Sequence, residues 1–371
     1  MTLRGPKRLP TVDLLRGLCI IAVVLHHINL RVKFNKSASG AMLPDVVNRI
    51  LFWNGSYGVK VFFVVSGFLI TSTILRRWGS LDGIDVAAFY RLRVARIAPS
   101  LVALLAILSI LHLAGATGYT INPHRTTLPR ALLAALTFHV NWLEIKIGYL
   151  PGSWDILWSL AVEETFYIAY PIVCRFVRWR SVLIVGVLAL GMAGPFFRTV
   201  LAPNEMATDY ALLANLDCIA MGCVAALLAG QLPVVGGLGA GCRVIGSVMI
   251  VLVTLARPVS AWLRLGRTGL DVTILAAGTA LVLMAVRPHA DRAPSWSAPV
   301  RWFGRNSYEV YLTHMFVVMA GFQTFTAARA PINSAPLWFV GILAVSGLLG
   351  HIVATFYSEP LNQLIRHRRR S

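Results

Sequence analysis

The chain has 371 residues, of which 57% are hydrophobic and only 13% charged. A soluble domain carries about 25% charged residues, so the composition excludes an ordinary water-soluble enzyme and points to lipid as the main solvent. The net charge of +19 falls between apolar runs, where it suits anionic lipid headgroups. No basic stretch is interleaved with aromatics, so nucleic acid is not an expected partner.

A membrane-spanning helix needs about 20 mostly apolar residues. Along the chain such runs fall at roughly 14–30, 56–75, 97–115, 156–174, 181–200, 210–230, 234–256, 269–286, 306–328 and 336–357. The first follows Arg4, Lys7 and Arg8. It contains Arg16, His26 and His27 and lacks a small-residue cleavage site, so it reads as a retained helix and not a signal peptide. The stretch 130–143 is apolar but too short to span, and a re-entrant or interfacial helix stays open for it. It lies in the longest non-spanning segment, 116–155, with Pro123, Pro129 and Pro151.

Lys and Arg are commoner on the side of the N-terminus, in the segments Arg76 to Arg96, Arg175 to Arg180, Arg287 to Arg305 and the C-terminal tail. That bias predicts both termini in the cytoplasm. The expected fold is therefore an all-α polytopic membrane helix bundle of about ten transmembrane helices. It forms a single domain over residues 1–371 with no appended soluble domain. The five cysteines include no CxxC pair and sit in or beside apolar runs, as packing residues do. No HExxH or similar spacing occurs, so no metal is expected.

Charged groups inside a span are costly and are functional suspects. In the first span Arg16 and His27 are eleven residues apart. At about 100° per residue they return to one helix face, roughly 16 Å apart along it. Asp13 precedes Arg16 by three residues and lies near the same face. A structural histidine and a snorkelling arginine are the plainer alternative. The second span opens Gly55-Ser-Tyr-Gly58 and continues to Phe62-Phe-Val-Val-Ser66-Gly67-Phe68. Its glycines allow close helix packing, and Ser66 can donate a hydrogen bond. A basic patch then brings Arg93 and Arg96, three apart and ahead of Pro99. Paired guanidiniums there suit phosphate groups, or simply anchor the cytoplasmic face. The run Trp158-Ser-Leu-Ala-Val-Glu163-Glu164-Thr-Phe-Tyr167 sets two adjacent carboxylates in an apolar segment. Glu163 can orient an imidazole or an arginine, or join a buried ion pair. Asp217, the run Gly304 to His314 and Ser358-Glu359-Pro360 are polar groups in apolar surroundings that also suit helix–helix contacts.

Taken in order, these motifs resemble the acyltransferase-3 family of membrane acyltransferases. That family's first-helix Arg-x10-His is matched by Arg16 and His27. Its Gly-rich motif falls on Gly55 to Phe68, and its Arg-x-x-Arg-Ile-x-Pro element on Arg93 to Pro99. Its Trp-Ser-Leu-x-x-Glu-Glu stretch falls on Trp158 to Tyr167, and its Gly-Arg-x-Ser-Tyr-x-x-Tyr-Leu-x-His run on Gly304 to His314. Thr165 stands where glutamine is usual, and Asn306 where an apolar residue is usual.

The resemblance implies transfer of an acyl group, most often acetyl, from cytoplasmic acyl-CoA to a hydroxyl. The acceptor would be a glycan, a lipid-linked glycan or another hydroxyl compound. Acyl-CoA would be a co-substrate, with no permanently bound cofactor. A bacterial inner membrane is the implied location. His27, as general base, is the expected catalytic centre with Arg16, Glu163 and Ser66. Arg93, Arg96, Asp13, Trp158, Tyr167 and His314 are expected to bind substrate, with Arg16 helping to offset the CoA phosphates. Ser66 or backbone amides near Gly67 are candidates for holding the oxyanion. A proton-coupled transporter is the alternative, because intramembrane His, Glu and Arg also build proton relays.

Overall fold

The computed structural model describes residues 9–176, 180–229, 236–286 and 293–367. The cations Arg4, Lys7, Arg8, Arg178, Arg287, Arg292 and Arg368 to Arg370, on which the orientation partly rests, lie outside those residues. Among the described residues every regular element is helical.

The first span is α1, Pro10–Arg31, which opens on a proline whose fixed φ suits a first turn. Next comes α2, Gly55–Trp78, ended by Gly79 at φ 79°. Helix α3, Val86–Leu113, starts where Asp85 accepts a hydrogen bond from the Ala88 amide at 2.9 Å. It therefore runs through the basic patch, and Arg93 and Arg96 are helical. The apolar stretch 130–143 is broken into α4, Leu128–Leu136, and α5, Val140–Ile147. Phe138, with φ at 55°, lies at the break. Neither piece is long enough to cross a bilayer of about 30 Å.

Besides short helical segments such as Asp45–Phe52, Glu205–Tyr210 and Glu359–His367, the main helices that follow are α6 (Leu157–Phe176), α7 (Arg180–Phe196), α8 (Leu216–Ala229), α9 (Gly236–Thr254), α10 (Leu270–Met284), α11 (Ala298–Arg305), α12 (Ser307–Ala327) and α13 (Ala335–Val353). Each of the ten expected spans contains an α-helix, although residues 211–215 of the sixth are turns and residues 230, 234 and 235 lie outside the described residues. Seven are long and apolar enough to cross a membrane by length and composition. The other three, α7, α8 and α10, have 17, 14 and 15 residues. Their outer apolar residues lie in flanking turns and π-type helix, which is why the sequence runs look longer than the α-helices.

The helices pack through small residues, as membrane helices do. A methyl group added to Gly67 of α2 would sit 2.0 Å from the Ile219 carbonyl oxygen. One added to Gly222 of α8 would sit 1.9 Å from that of Val64. These two backbones touch, and no other residue fits at either position. The outward faces are apolar: Val102, Ile110 and Leu113 of α3 and Val244, Ile245 and Val248 of α9 are exposed. In water such faces would be a liability; against lipid they are at home.

Direction along the bundle follows from side-chain pairs. Arg16 meets Ser307, His27 meets His314 and Arg31 meets Met319, so α1 and α12 run parallel. Phe63 meets Trp158, Ser66 meets Glu163 and Thr71 meets Tyr170, so α2 and α6 run parallel too.

Candidate active site

The helices α1, α2, α6 and α12 enclose a column of polar side chains in an otherwise apolar bundle. At one end lies a cavity of about 470 Å³, lined among others by Arg96, Arg305, Trp302, Tyr308, Glu309 and His351. Just beyond it Arg16 Nε donates to Ser307 Oγ at 3.0 Å. Arg16 sits in the fields of Arg96, Asp13, Glu163 and Glu309, which gather around it from four helical segments.

Glu163 is the hub of the next layer. Its Oε1 accepts from Ser66 Oγ and, at 2.8 Å, from Tyr167 OH. Arg93 approaches the same oxygen at 3.5 Å. The rest of the Arg93 guanidinium is committed to Glu164, with Nε 3.1 Å from both carboxylate oxygens and Nη2 bonded to one of them. Its plane covers the Tyr167 ring, 3.7 Å from the centroid. Arg93 and Arg96, expected to act together on phosphate, thus take different surroundings. Arg93 turns into the bundle, whereas Arg96 is exposed at the cavity. Likewise, the Ser66 hydroxyl proton is directed at Glu163, and Gly67 packs against Ile219.

Further along, Tyr311 OH donates to the Ile156 carbonyl at 3.0 Å and lies 2.6 Å from Ser159 Oγ. Then come the two imidazoles. His27 Nδ1 is 3.2 Å from His314 Nε2 and 2.9 Å from the carbonyl oxygen of Val23. Arg31, one turn on, donates to the His27 carbonyl at 3.1 Å.

The far end holds a second polar group. Trp158, buried, stacks on Tyr210 with centroids 4.2 Å apart. Tyr210 OH donates to Asp155 Oδ1 at 2.8 Å. Lys60, only 1% exposed, bonds to the Asp209 carbonyl at 2.9 Å and to Asn215 Oδ1 at 2.7 Å. Glu144, on α5 outside the spans, is fully buried; its Oε1 accepts from the Leu150 amide at 3.0 Å, and the Asp155 carboxyl is a close neighbour. Burial, and then the neighbouring Asp155 carboxylate, push the Glu144 carboxyl well above the usual carboxylate range. Among the described residues no three His, Cys, Asp or Glu side chains gather as metal ligands.

Most of the residues singled out from sequence share this column. His314 meets His27; Arg16 lies near Asp13 and Glu163; Glu163 holds Ser66 and Tyr167. From sequence, Arg31, Lys60, Asp155 and Tyr210 receive no role, and Ser159 and Tyr311 figure only as members of longer motifs. Arg31 had a signal in its i, i+4 spacing from His27, and Lys60 in being a cation inside an apolar run.

Residues 9–355 match a family model described as an acyltransferase domain. The chain belongs to the acyltransferase-3 family. It is similar to the O-acetyltransferase OatA of Staphylococcus aureus, 24% identical over 97% of this chain. It is also similar to the peptidoglycan O-acetyltransferase OatA of Listeria monocytogenes, 25% identical over 96% of this chain. The matched part covers 58% and 56% of those proteins, so the chain spans a little over half the length of these relatives. No solved structure matches the chain. The relatives are named as acetyltransferases, which does not favour the transporter.

Proposed function

We propose that this chain is a membrane O-acyltransferase that moves an acyl group, acetyl foremost, from cytoplasmic acyl-CoA to a hydroxyl of a glycan or glycolipid. The observation that carries this reading is the position of His27. It is the one imidazole on the Arg16 stripe, reached by a polar column that begins at a cation-bearing cavity. The exposed Arg96 and Arg305 of that cavity suit the CoA phosphates, and the thioester arm then points along the column toward His27.

A hydroxyl is a poor nucleophile until its proton is removed, and a neutral imidazole is suited to remove it. His27 takes the proton as the hydroxyl oxygen attacks the thioester carbonyl. The C–S bond then breaks, and the thiolate recovers the proton from His27. Arg16, held by Ser307, marks the inner end of this path. Glu163, with Ser66, Tyr167 and Arg93, stiffens its wall. Trp158 and Tyr210, with Asp155, border the opposite end, where the acceptor enters. A carbohydrate acceptor is in keeping with the peptidoglycan named for the Listeria relative.

The same reading sets the enzyme in a bacterial cytoplasmic membrane with ten crossings and both termini inside. The parallel run of α1 and α12 supports that count. Counting α2, α3, α6 and α9 alone between them would make the pair antiparallel. Adding α7, α8 and α10 gives seven intervening crossings and restores the observed sense.

Purified protein in detergent, given acetyl-CoA with water or a glycan fragment as acceptor, should release thiol. His27→Ala should lower kcat by about 10²- to 10⁴-fold, the usual worth of a general base, while still binding acetyl-CoA. Equal turnover in mutant and wild type would remove His27 from the reaction. An inability of the wild type to bind or consume acetyl-CoA would overturn the acyltransferase reading itself.

A further inference from the structure

Two imidazoles meet in the middle of the bundle, and their surroundings fix where their hydrogens are. His314 is fully buried. Its Nδ1 lies 2.7 Å from the carbonyl oxygen of Tyr311 and 3.1 Å from that of Val310. Neither carbonyl can donate, so Nδ1 carries the hydrogen. In a neutral ring Nε2 is then a bare acceptor. That Nε2 faces His27 Nδ1 at 3.2 Å, and His27 Nδ1 also faces the Val23 carbonyl oxygen at 2.9 Å. Confronted by two acceptors, His27 Nδ1 must be protonated as well. The opposite assignment would aim lone pairs at three carbonyl oxygens. A single neutral tautomer pair satisfies every contact, and it leaves the His27 Nε2 lone pair uncommitted. Among the described residues none hydrogen-bonds to Nε2, and His27 is only half-buried. His26 takes no part, since its Nδ1 bonds to the Phe52 carbonyl at 2.9 Å.

We infer that His314 is the positioning residue of His27: it accepts the His27 Nδ1–H hydrogen bond, pins the ring, and keeps the basic Nε2 lone pair aimed at the reacting hydroxyl. This rests on the reading of His27 as base. In the reaction the hydroxyl proton goes to His27 Nε2 while the hydroxyl oxygen forms the new C–O bond. The resulting imidazolium keeps its Nδ1–H on His314 Nε2, whose lone pair offsets the new charge. As the C–S bond breaks, the Nε2 proton passes to the CoA thiolate and both rings are neutral again. On this inference His314 acts through His27, a different role from the substrate contact expected for it from sequence. A partner that orients a working imidazole through its far nitrogen is a recurrent device.

The test has two arms. Nitrogen-15 NMR of the full chain in detergent, with labelled histidine and with His27→Gln and His314→Gln to assign the signals, reads the tautomers directly. Both rings should carry hydrogen on Nδ1; a His27 protonated on Nε2 overturns the inference, and this arm needs no turnover. The second arm follows thiol release from acetyl-CoA. His314→Leu removes the acceptor and should lower kcat by roughly 10- to 100-fold, by analogy with the partners that orient metal-bound histidines. KM for acetyl-CoA should stay unchanged. His314→Gln restores an acceptor oxygen near the position of Nε2 and should recover much of the rate. Equal kcat in the Leu and Gln variants, both folded, would overturn the positioning role. Full activity in His27→Ala would instead overturn the base reading, with the tautomer result judged separately. If the Leu variant does not fold, the NMR arm decides.

Discussion

Arg93 on α3 and Glu164 on α6 form a forked ion pair, with Arg93 Nε 3.1 Å from both carboxylate oxygens. The Tyr167 ring closes over the guanidinium and Glu163 shares it. Four side chains from two helices thus fix the distance between α3 and α6. Because Glu163 also takes the Ser66 hydrogen bond, α2 is tied to the same cluster.

Breaking one side of this pair should therefore be more harmful than removing both. Arg93→Met strands the buried Glu164 charge and should cost about 3–5 kcal/mol of stability. A second change, Glu164→Leu, should recover most of the loss. Arg93→Lys keeps the charge but not the fork and should fall between. Thermal unfolding in detergent, followed by intrinsic tryptophan fluorescence, measures all three. A double variant no more stable than Arg93→Met alone would refute the assignment.

Arg96 behaves differently because it is exposed at the cavity, whereas Arg93 forms the ion pair with Glu164. Arg96→Ala should raise KM for acetyl-CoA about 10- to 100-fold, as loss of one charge-assisted contact does, and leave kcat nearly unchanged. The ratio of wild-type to mutant affinity should narrow as salt is added. An unaltered KM would move the CoA phosphates to other cations.

Glu144 predicts a pH effect. Its carboxyl is held well above the usual range in the fold, by burial and by Asp155. In the unfolded chain it returns to an ordinary carboxylate. Between those two values the folded state binds the extra proton, so stability falls as pH rises through that window. Glu144→Gln keeps an oxygen for the Leu150 amide and removes the titration. The unfolding temperature of the wild type should drop between mildly acidic and neutral pH, and that of Glu144→Gln should drop less. Parallel curves would show that Glu144 stays ionised in the fold.

The helical bundle was legible because period and length carry it: each of the ten apolar runs contains a helix, and seven of those helices are long and apolar enough to cross a membrane. Helix ends were less so. The run 181–200 reads as one span, yet its α-helix stops at Phe196 and continues as a π-type turn. Hydropathy does not register that change of hydrogen-bond pattern. The stripe of Arg16 and His27 follows from helix geometry alone and is realised against α12. What a single helix cannot reveal is its neighbour. Arg93 and Arg96 share a face in sequence, but their different partners are set by where α6 and the cavity lie. In the same way Tyr311 and Ser159, 152 residues apart, meet only through tertiary packing.

The pairing of His27 with His314 joins groups 287 residues apart in the chain. During biosynthesis the first helix enters the membrane long before its partner is translated. A nascent or truncated chain therefore carries the imidazole without the group that orients it. On the proposed reading, a thioester would meet the assembled histidine pair only after the helix that carries His314 has been inserted, so assembly itself would act as a safeguard against wasteful hydrolysis.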